Sequence, residues 1–161
     1  MSLQAVAGKG GALRQILTLL GPDPLAAAFA PLLLGHNDGD GLEPPRLAEL
    51  TRQALDFIAR KPKAEPKVRL RALTPAGPGE TVSVLEISND DMPFLVDSIL
   101  AELQARGLGV LALLHPIFKT ERDGAGQLRK IIGPGDENWN DGHQESYIAV
   151  LLKAMPAGVS D

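Results

Sequence analysis

The residues best placed to do chemistry form one run, Asn89-Asp90-Asp91-Met92-Pro93-Phe94-Leu95-Val96-Asp97-Ser98. A β-branched stretch feeds into it and an apolar periodic stretch leaves it, so a strand reaches a helix through a polar elbow. Helix starts carry free N–H groups, and elbows of this kind are where ligands often dock. The simpler reading is that Asp90 and Asp91 cap the helix, worth about 0.5–2 kcal/mol. The alternative is an effector site at Asn89, Asp90 and Asp91. Two carboxylates there cancel the positive field of the helix start, so they suit an ammonium group. The carboxylate of an amino acid would then need exposed N–H groups, or a cation such as Arg106 or Lys119 from this or a neighbouring chain.

Other constellations are weaker. His36-Asn37-Asp38-Gly39-Asp40-Gly41 has carboxylates two apart, as in a calcium loop. The position requiring a bidentate Glu is Leu47, and Pro44 and Pro45 intrude, which leaves a flexible loop. Gly124-Ala125-Gly126 follows a strand but runs into another strand, so no helix start cradles a pyrophosphate. There is no Gly-x-x-x-x-Gly-Lys loop, Gly-x-Ser-x-Gly elbow or His-x-x-x-His pair. The sequence predicts no catalytic, metal-binding or cofactor-binding residue. His36, His115 and His143 lie on separate elements. His115 precedes Pro116 inside a strand and reads as a structural histidine at a β-bulge. His143 and Glu145 are close enough to pair, although a polar loop is the ordinary context for both.

The elements that must position these groups fall into two segments. Residues 1–61 are helical: Ala12 to Leu20 and Leu25 to Leu34 flank the breaker Gly21-Pro22-Asp23-Pro24. Pro44 and Pro45 open a further helix with Leu47, Leu50, Ala54, Leu55 and Ile58 on one face, ending near Arg60. Residues 62–161 form an α+β unit. Val68, Leu70 and Ala72 alternate with Arg69 and Arg71, as in a strand whose apolar side is buried. Thr81 to Ser88 is a candidate central strand. A helix follows from Asp91 with Pro93 in its first turn, Leu95, Ile99 and Leu103 on one face and Gly107 as its stop. Val110 to Thr120 reads as one long strand, Asp123 to Gly126 as a hairpin turn, and Gln127 to Ile132 as the returning strand. After the polar loop Gly133 to Gln144, Ser146 to Leu152 is the last strand.

This order implies a ferredoxin-like antiparallel sheet with helices on one face, preceded by a helical N-terminal segment. A second covering helix is missing after Leu152, and Met155 to Asp161 looks like a truncation. The exposed sheet face, with the apolar runs Leu17 to Leu20 and Leu32 to Leu34, is expected to meet a partner surface, which suggests a homo-oligomer.

Composition narrows the function classes. The chain has 161 residues, 44% hydrophobic, with a formal net charge of -4 and a pI near 5.4. That balance argues against nucleic acid as a partner. Lys61, Lys63, Lys67, Arg69 and Arg71 form a local basic cluster, expected as a solvated face. Zero cysteines exclude disulfides and thiol chemistry, and suit the cytoplasm. No signal sequence opens the chain, and no apolar run approaches the roughly 18 residues of a membrane span.

The stretch Asn89 to Ser98 resembles the N-terminal region of the large bacterial NAD-dependent glutamate dehydrogenases. Glu65-Pro66-Lys67-Val68-Arg69 matches an earlier landmark of that family. Gly107-Leu108, Leu114-His115-Pro116-Ile117, Arg122-Asp123 and Glu145-Ser146 match later ones. The likeness spans about Pro62 to Leu152. It implies an ACT-like fold and a longer parent that oxidises L-glutamate to 2-oxoglutarate and ammonia with NAD. The catalytic domain would lie downstream, and this segment would bind no cofactor itself. It also implies a regulatory or assembly role with a small amino-acid effector. Tyr147 to Leu152 lacks the family's usual charged and His positions. The competing readings are a free-standing ACT-like amino-acid sensor and, behind it, a small enzyme using His115 and an Asp.

Overall fold

The computed structural model describes residues 3–35, 42–62, 64–75, 77–140 and 143–153. The His36 to Gly41 loop and the Met155 to Asp161 end lie outside them. Three helices come first: α1 (Leu3–Leu20), α2 (Pro24–Gly35) and α3 (Pro44–Ile58). The breaker between α1 and α2 works residue by residue. Gly21 takes the left-handed backbone (φ 76) that ends α1. Asp23 then accepts the Leu25 N–H at 3.0 Å as the cap of α2, with Pro24 in the first turn.

The sheet contains β1 (Lys67–Ala72), β2 (Val82–Asp90), β3 (Val110–Leu114), β4 (Ile117–Arg122), β5 (Leu128–Ile132) and β6 (His143–Lys153). All described pairings are antiparallel, in the order β1-β2-β6-β4-β5, with β3 also on β6. The central strand is therefore β6, which holds β2 along one side and β3 then β4 along the other. Helix α4 (Leu95–Ala105) connects β2 to β3. It ends as the sequence requires: Gly107 at φ 70, with Gly107 N–H on the Gln104 carbonyl and Leu108 N–H on the Leu103 carbonyl.

Helices cover both faces. Phe29 and Leu33 of α2 and Leu50, Ala54, Phe57 and Ile58 of α3 share one core with Leu114, Phe118, Tyr147 and Ala149 of the sheet. The Phe29 ring meets Phe118 and Tyr147 edge-on, with centroids 5.4 and 5.7 Å away. Each such buried ring contributes roughly 1.5–3 kcal/mol, which binds the helical segment to the sheet. On the opposite face, Leu95, Ile99 and Leu103 of α4 pack on Ile87, Ile148, Val150 and Leu152. Helix α1 sits outside α2 and α3, with Ile16 against Ala30, Leu34, Leu47 and Ala48. The apolar runs expected to need a partner are thus mostly covered within the chain. Leu17 and Leu20 pack on this outer cluster, and Leu33 and Leu34 are buried.

Four sequence expectations are corrected. The alternation of β1 is inverted: Val68, Leu70 and Ala72 are exposed, whereas Lys67, Arg69 and Arg71 turn inward. The long strand from Val110 breaks at His115 and Pro116, because proline has no N–H for the ladder; Pro116 instead offers its carbonyl to Tyr147 N–H at 3.2 Å. Strand β6 begins at His143, so the polar loop is shorter than expected and Glu145 lies within the sheet. Helix α4 begins at Leu95, after a turn at Pro93 and Phe94, so Asp91 and Pro93 lie ahead of its first turn and the acidic residue within that turn is Asp97.

Candidate functional site

The N-cap of α4 is Phe94, in a left-handed backbone (φ 63), with no side-chain capping bond. Asp90 and Asp91 therefore do not cap the helix. Asp90 is the last residue of β2, opposite Glu145 of β6. Successive strand residues point to opposite faces. Asp90 consequently turns to the α3 side, with Glu86 and Ser88, while Asn89 turns to the α4 side. There the Asn89 amide donates to the Met92 sulfur at 3.3 Å. Asp91 accepts from the Gln144 side-chain amide at 2.7 Å. The predicted trio is thus divided, and only Asp90 enters a cleft.

That cleft has a volume of about 680 Å³ and opens at the end of the sheet where β2, β4 and β6 meet the chain leaving α3. Lys61, only 4% exposed, donates to Asp90 Oδ1 at 3.0 Å and lies 3.8 Å from Glu145 Oε1. His143 Nε2 meets the same Asp90 oxygen at 2.9 Å. Glu145 is buried and receives Arg122 Nε at 3.0 Å and Arg122 Nη2 at 3.3 Å, together with the Thr120 hydroxyl. Burial pushes the Asp90 carboxyl upward, but the hydrogen bonds and charges of His143 and Lys61 outweigh it and hold it below its ordinary value.

The local backbone explains how Lys61 is held there. The stretch after α3 runs beside the β4–β5 hairpin, with an isolated bridge between Arg60 and Gln127 and the Lys61 N–H on the Gly126 carbonyl at 3.2 Å. Gly126 has φ 81, and a Cβ on it would lie 2.4 Å from the Lys61 carbonyl oxygen. Only glycine fits that approach. Arg122 Nη1 closes the corner by donating to the same Gly126 carbonyl at 2.9 Å.

A second charged group lies on the same sheet face. Glu86 is fully buried and accepts from Arg69 Nε at 2.7 Å, Arg71 Nε at 2.9 Å and the Tyr147 hydroxyl at 2.7 Å. Burial would raise its carboxyl, yet Arg69, Arg71 and Tyr147 hold it below the usual range. The Tyr147 phenol is pushed well up, first by burial and then by the Glu86 charge. The basic cluster expected as a solvated face is therefore largely internal: Lys61 serves the cleft, Arg69 and Arg71 serve Glu86, and Lys67 donates to the Phe57 and Arg60 carbonyls.

Neither cation expected to receive a ligand carboxylate is at Asp90. Arg106 bonds Glu102 at 2.6 Å, and Lys119 lies over the Trp139 ring at 4.9 Å. Lys61, Arg122 and Glu145 line the cleft but were not among the predicted site residues, and His143, weighed as a partner of Glu145, meets Asp90 instead. Glu145 shares a face with Tyr147, Ala149 and Leu151 once β6 is extended back to His143. Lys61 carried no local signal. The cleft thus presents cations and carboxylates within a few ångströms of one another. No helix formed by the described residues is long and apolar enough to cross a membrane.

An antiparallel sheet with α4 across one face defines an α+β, ACT-like domain. Residues 34–159 match the family described as glutamate dehydrogenase, ACT1 domain, and the chain belongs to that family. It is 29% identical over 130 residues to the NAD-specific glutamate dehydrogenase of Pseudomonas aeruginosa, which covers 78% of this chain and 8% of that protein. To the NAD-specific glutamate dehydrogenase of Halomonas elongata it is 31% identical over 129 residues, covering 76% and 8%. The chain thus spans 8% of the length of these relatives. No solved structure matches it.

Proposed function

We propose that this chain is the N-terminal regulatory and assembly domain of a longer NAD-dependent glutamate dehydrogenase, residues 1–61 serving as a helical lead-in to the ACT-like unit of 62–161. The parent polypeptide converts L-glutamate to 2-oxoglutarate and ammonia with NAD in the cytoplasm, and its catalytic domain lies elsewhere in the same polypeptide. This segment binds no cofactor and forms part of a homo-oligomer. The family match over residues 34–159 is the observation that carries the reading.

The regulatory part rests on the cleft. Asp90 Oδ1 serves Lys61 and His143, which leaves Oδ2 for the ammonium of an amino-acid effector. Lys61 donates one hydrogen bond to Asp90 and lies 3.8 Å from Glu145, which leaves a third N–H for the effector's carboxylate. Asn89 and Asp91 flank the site and orient the elbow through Met92 and Gln144. Calorimetric titration of the common amino acids into the wild type and Asp90→Asn tests this. Heat with one amino acid, lost in the variant, is expected. No heat with any of them, or equal affinity for both proteins, overturns the effector site.

A further inference from the structure

Strand β1 is one edge of the sheet; among the described residues it pairs with β2 alone, in unbroken register from Lys67↔Ser88 to Ala72↔Ser83. Among the described residues, no hydrogen bond reaches the outer N–H and C=O groups of Lys67 to Ala72. Natural edges are blunted by bulges, prolines, short length or outward charges. Strand β1 has no bulge and no internal proline, and its charges, Lys67, Arg69 and Arg71, all lie on the face turned toward α3, which leaves the Val68 and Leu70 face uncharged. Val68 is 65% exposed and Leu70 46% exposed. Their β2 neighbours in the ladder, Ile87 and Leu85, belong to the core beneath α4. The apolar surface of β1 therefore continues that core outward and stops uncovered.

The other face of the same strand is charged. Lys67, Arg69 and Arg71 bring three cations, and among the described residues Glu86 is the one carboxylate bonded to any of them. Lys67 donates to the Phe57 and Arg60 carbonyl oxygens near the end of α3 and lies over the Phe57 ring at 4.8 Å, which offsets part of the excess. Its ammonium is held below the ordinary value by burial and by the charges of Arg122 and Arg69. Pairing β1 with β1 of a second copy, with like faces aligned, would set these cations opposite one another. Like charges directly across a ladder destabilise it.

We propose that β1 is a docking edge for an extended protein segment that adds to the sheet as a further strand. The segment places apolar side chains beside Val68 and Leu70 and acidic side chains beside Lys67, Arg69 and Arg71. Main-chain hydrogen bonds supply affinity and the two alternating faces supply specificity, as in strand addition generally.

The test uses the whole chain and two labelled synthetic peptides of equal length, one alternating valine with glutamate and the other valine with lysine. Fluorescence anisotropy is expected to show at least tenfold tighter binding of the glutamate peptide, weakened by salt. Val68→Lys and Leu70→Lys, both at exposed positions, are each expected to weaken that binding at least tenfold while circular dichroism stays unchanged. Equal affinity for the two peptides, or no binding of the glutamate peptide at millimolar concentration, overturns the proposal. So does self-association of the chain that Leu70→Lys abolishes, because the cover would then be a second basic edge.

Discussion

At the scale of single residues, Glu86 is a carboxylate buried completely within the sheet face that α3 covers. A fully buried carboxylate is tolerable only because three donors surround it. Replacing Glu86 with Gln leaves Arg69 and Arg71 without their carboxylate, and should cost about 3 kcal/mol in urea unfolding at neutral pH. The folded-state acidity of Glu86 and Asp90 is greater than that of the unfolded chain, where Glu and Asp titrate at about 4. Their contribution is therefore complete above about pH 4 and is lost as pH falls through the depressed folded values. Urea midpoints measured downward from neutral pH should fall more steeply for the wild type than for Glu86→Gln. Gly126 makes a steric demand instead. Gly126→Ala should cost at least about 2 kcal/mol, since a left-handed backbone and a collision with the Lys61 carbonyl act together. Thermal unfolding of that variant beside the wild type measures it.

At the scale of elements, what could be read from the sequence was what local periodicity decides. Helix α3 is legible because Leu47, Leu50, Ala54 and Ile58 recur on one face and are all buried. The stop of α4 is legible because a glycine must follow it. Strand β1 was legible as a strand but not in its orientation. Lys67-Val68-Arg69-Leu70-Arg71-Ala72 contains two interleaved sets of period two, and hydrophobicity selects the wrong one. The choice is made by Glu86 and by the α3 carbonyls, partners remote in sequence. The elbow failed for a related reason: acidic residues ahead of an apolar run look like caps, but β2 extends through Asp90 and takes that carboxylate into the cleft. Asp91→Ala should consequently change stability by less than about 0.5 kcal/mol in urea unfolding, where a true cap would cost about 1 kcal/mol. Phe94, 77% exposed in a left-handed backbone, buries little, so Phe94→Gly should leave the protein as stable or raise its stability by up to about 1 kcal/mol. A loss above about 1 kcal/mol on calorimetric unfolding would mean that the ring packs in solution.

At the scale of the whole molecule, the helical lead-in and the sheet are joined by one core rather than tethered by a linker. Phe29 of α2 stacks edge-on against Phe118 and Tyr147, and Lys61 plugs the end of the sheet just after α3. The cleft therefore exists only when both segments are in place, so an effector bound there would report on, and stabilise, their union. The most direct measurement of the central claim is glutamate-dependent NADH formation, followed side by side for the native polypeptide that carries this segment and for the 161-residue chain alone. Activity in the native polypeptide and none in the isolated chain is the expected result. NADH formed by the isolated chain, or a native polypeptide that forms none, would contradict its assignment as a non-catalytic domain of a glutamate dehydrogenase.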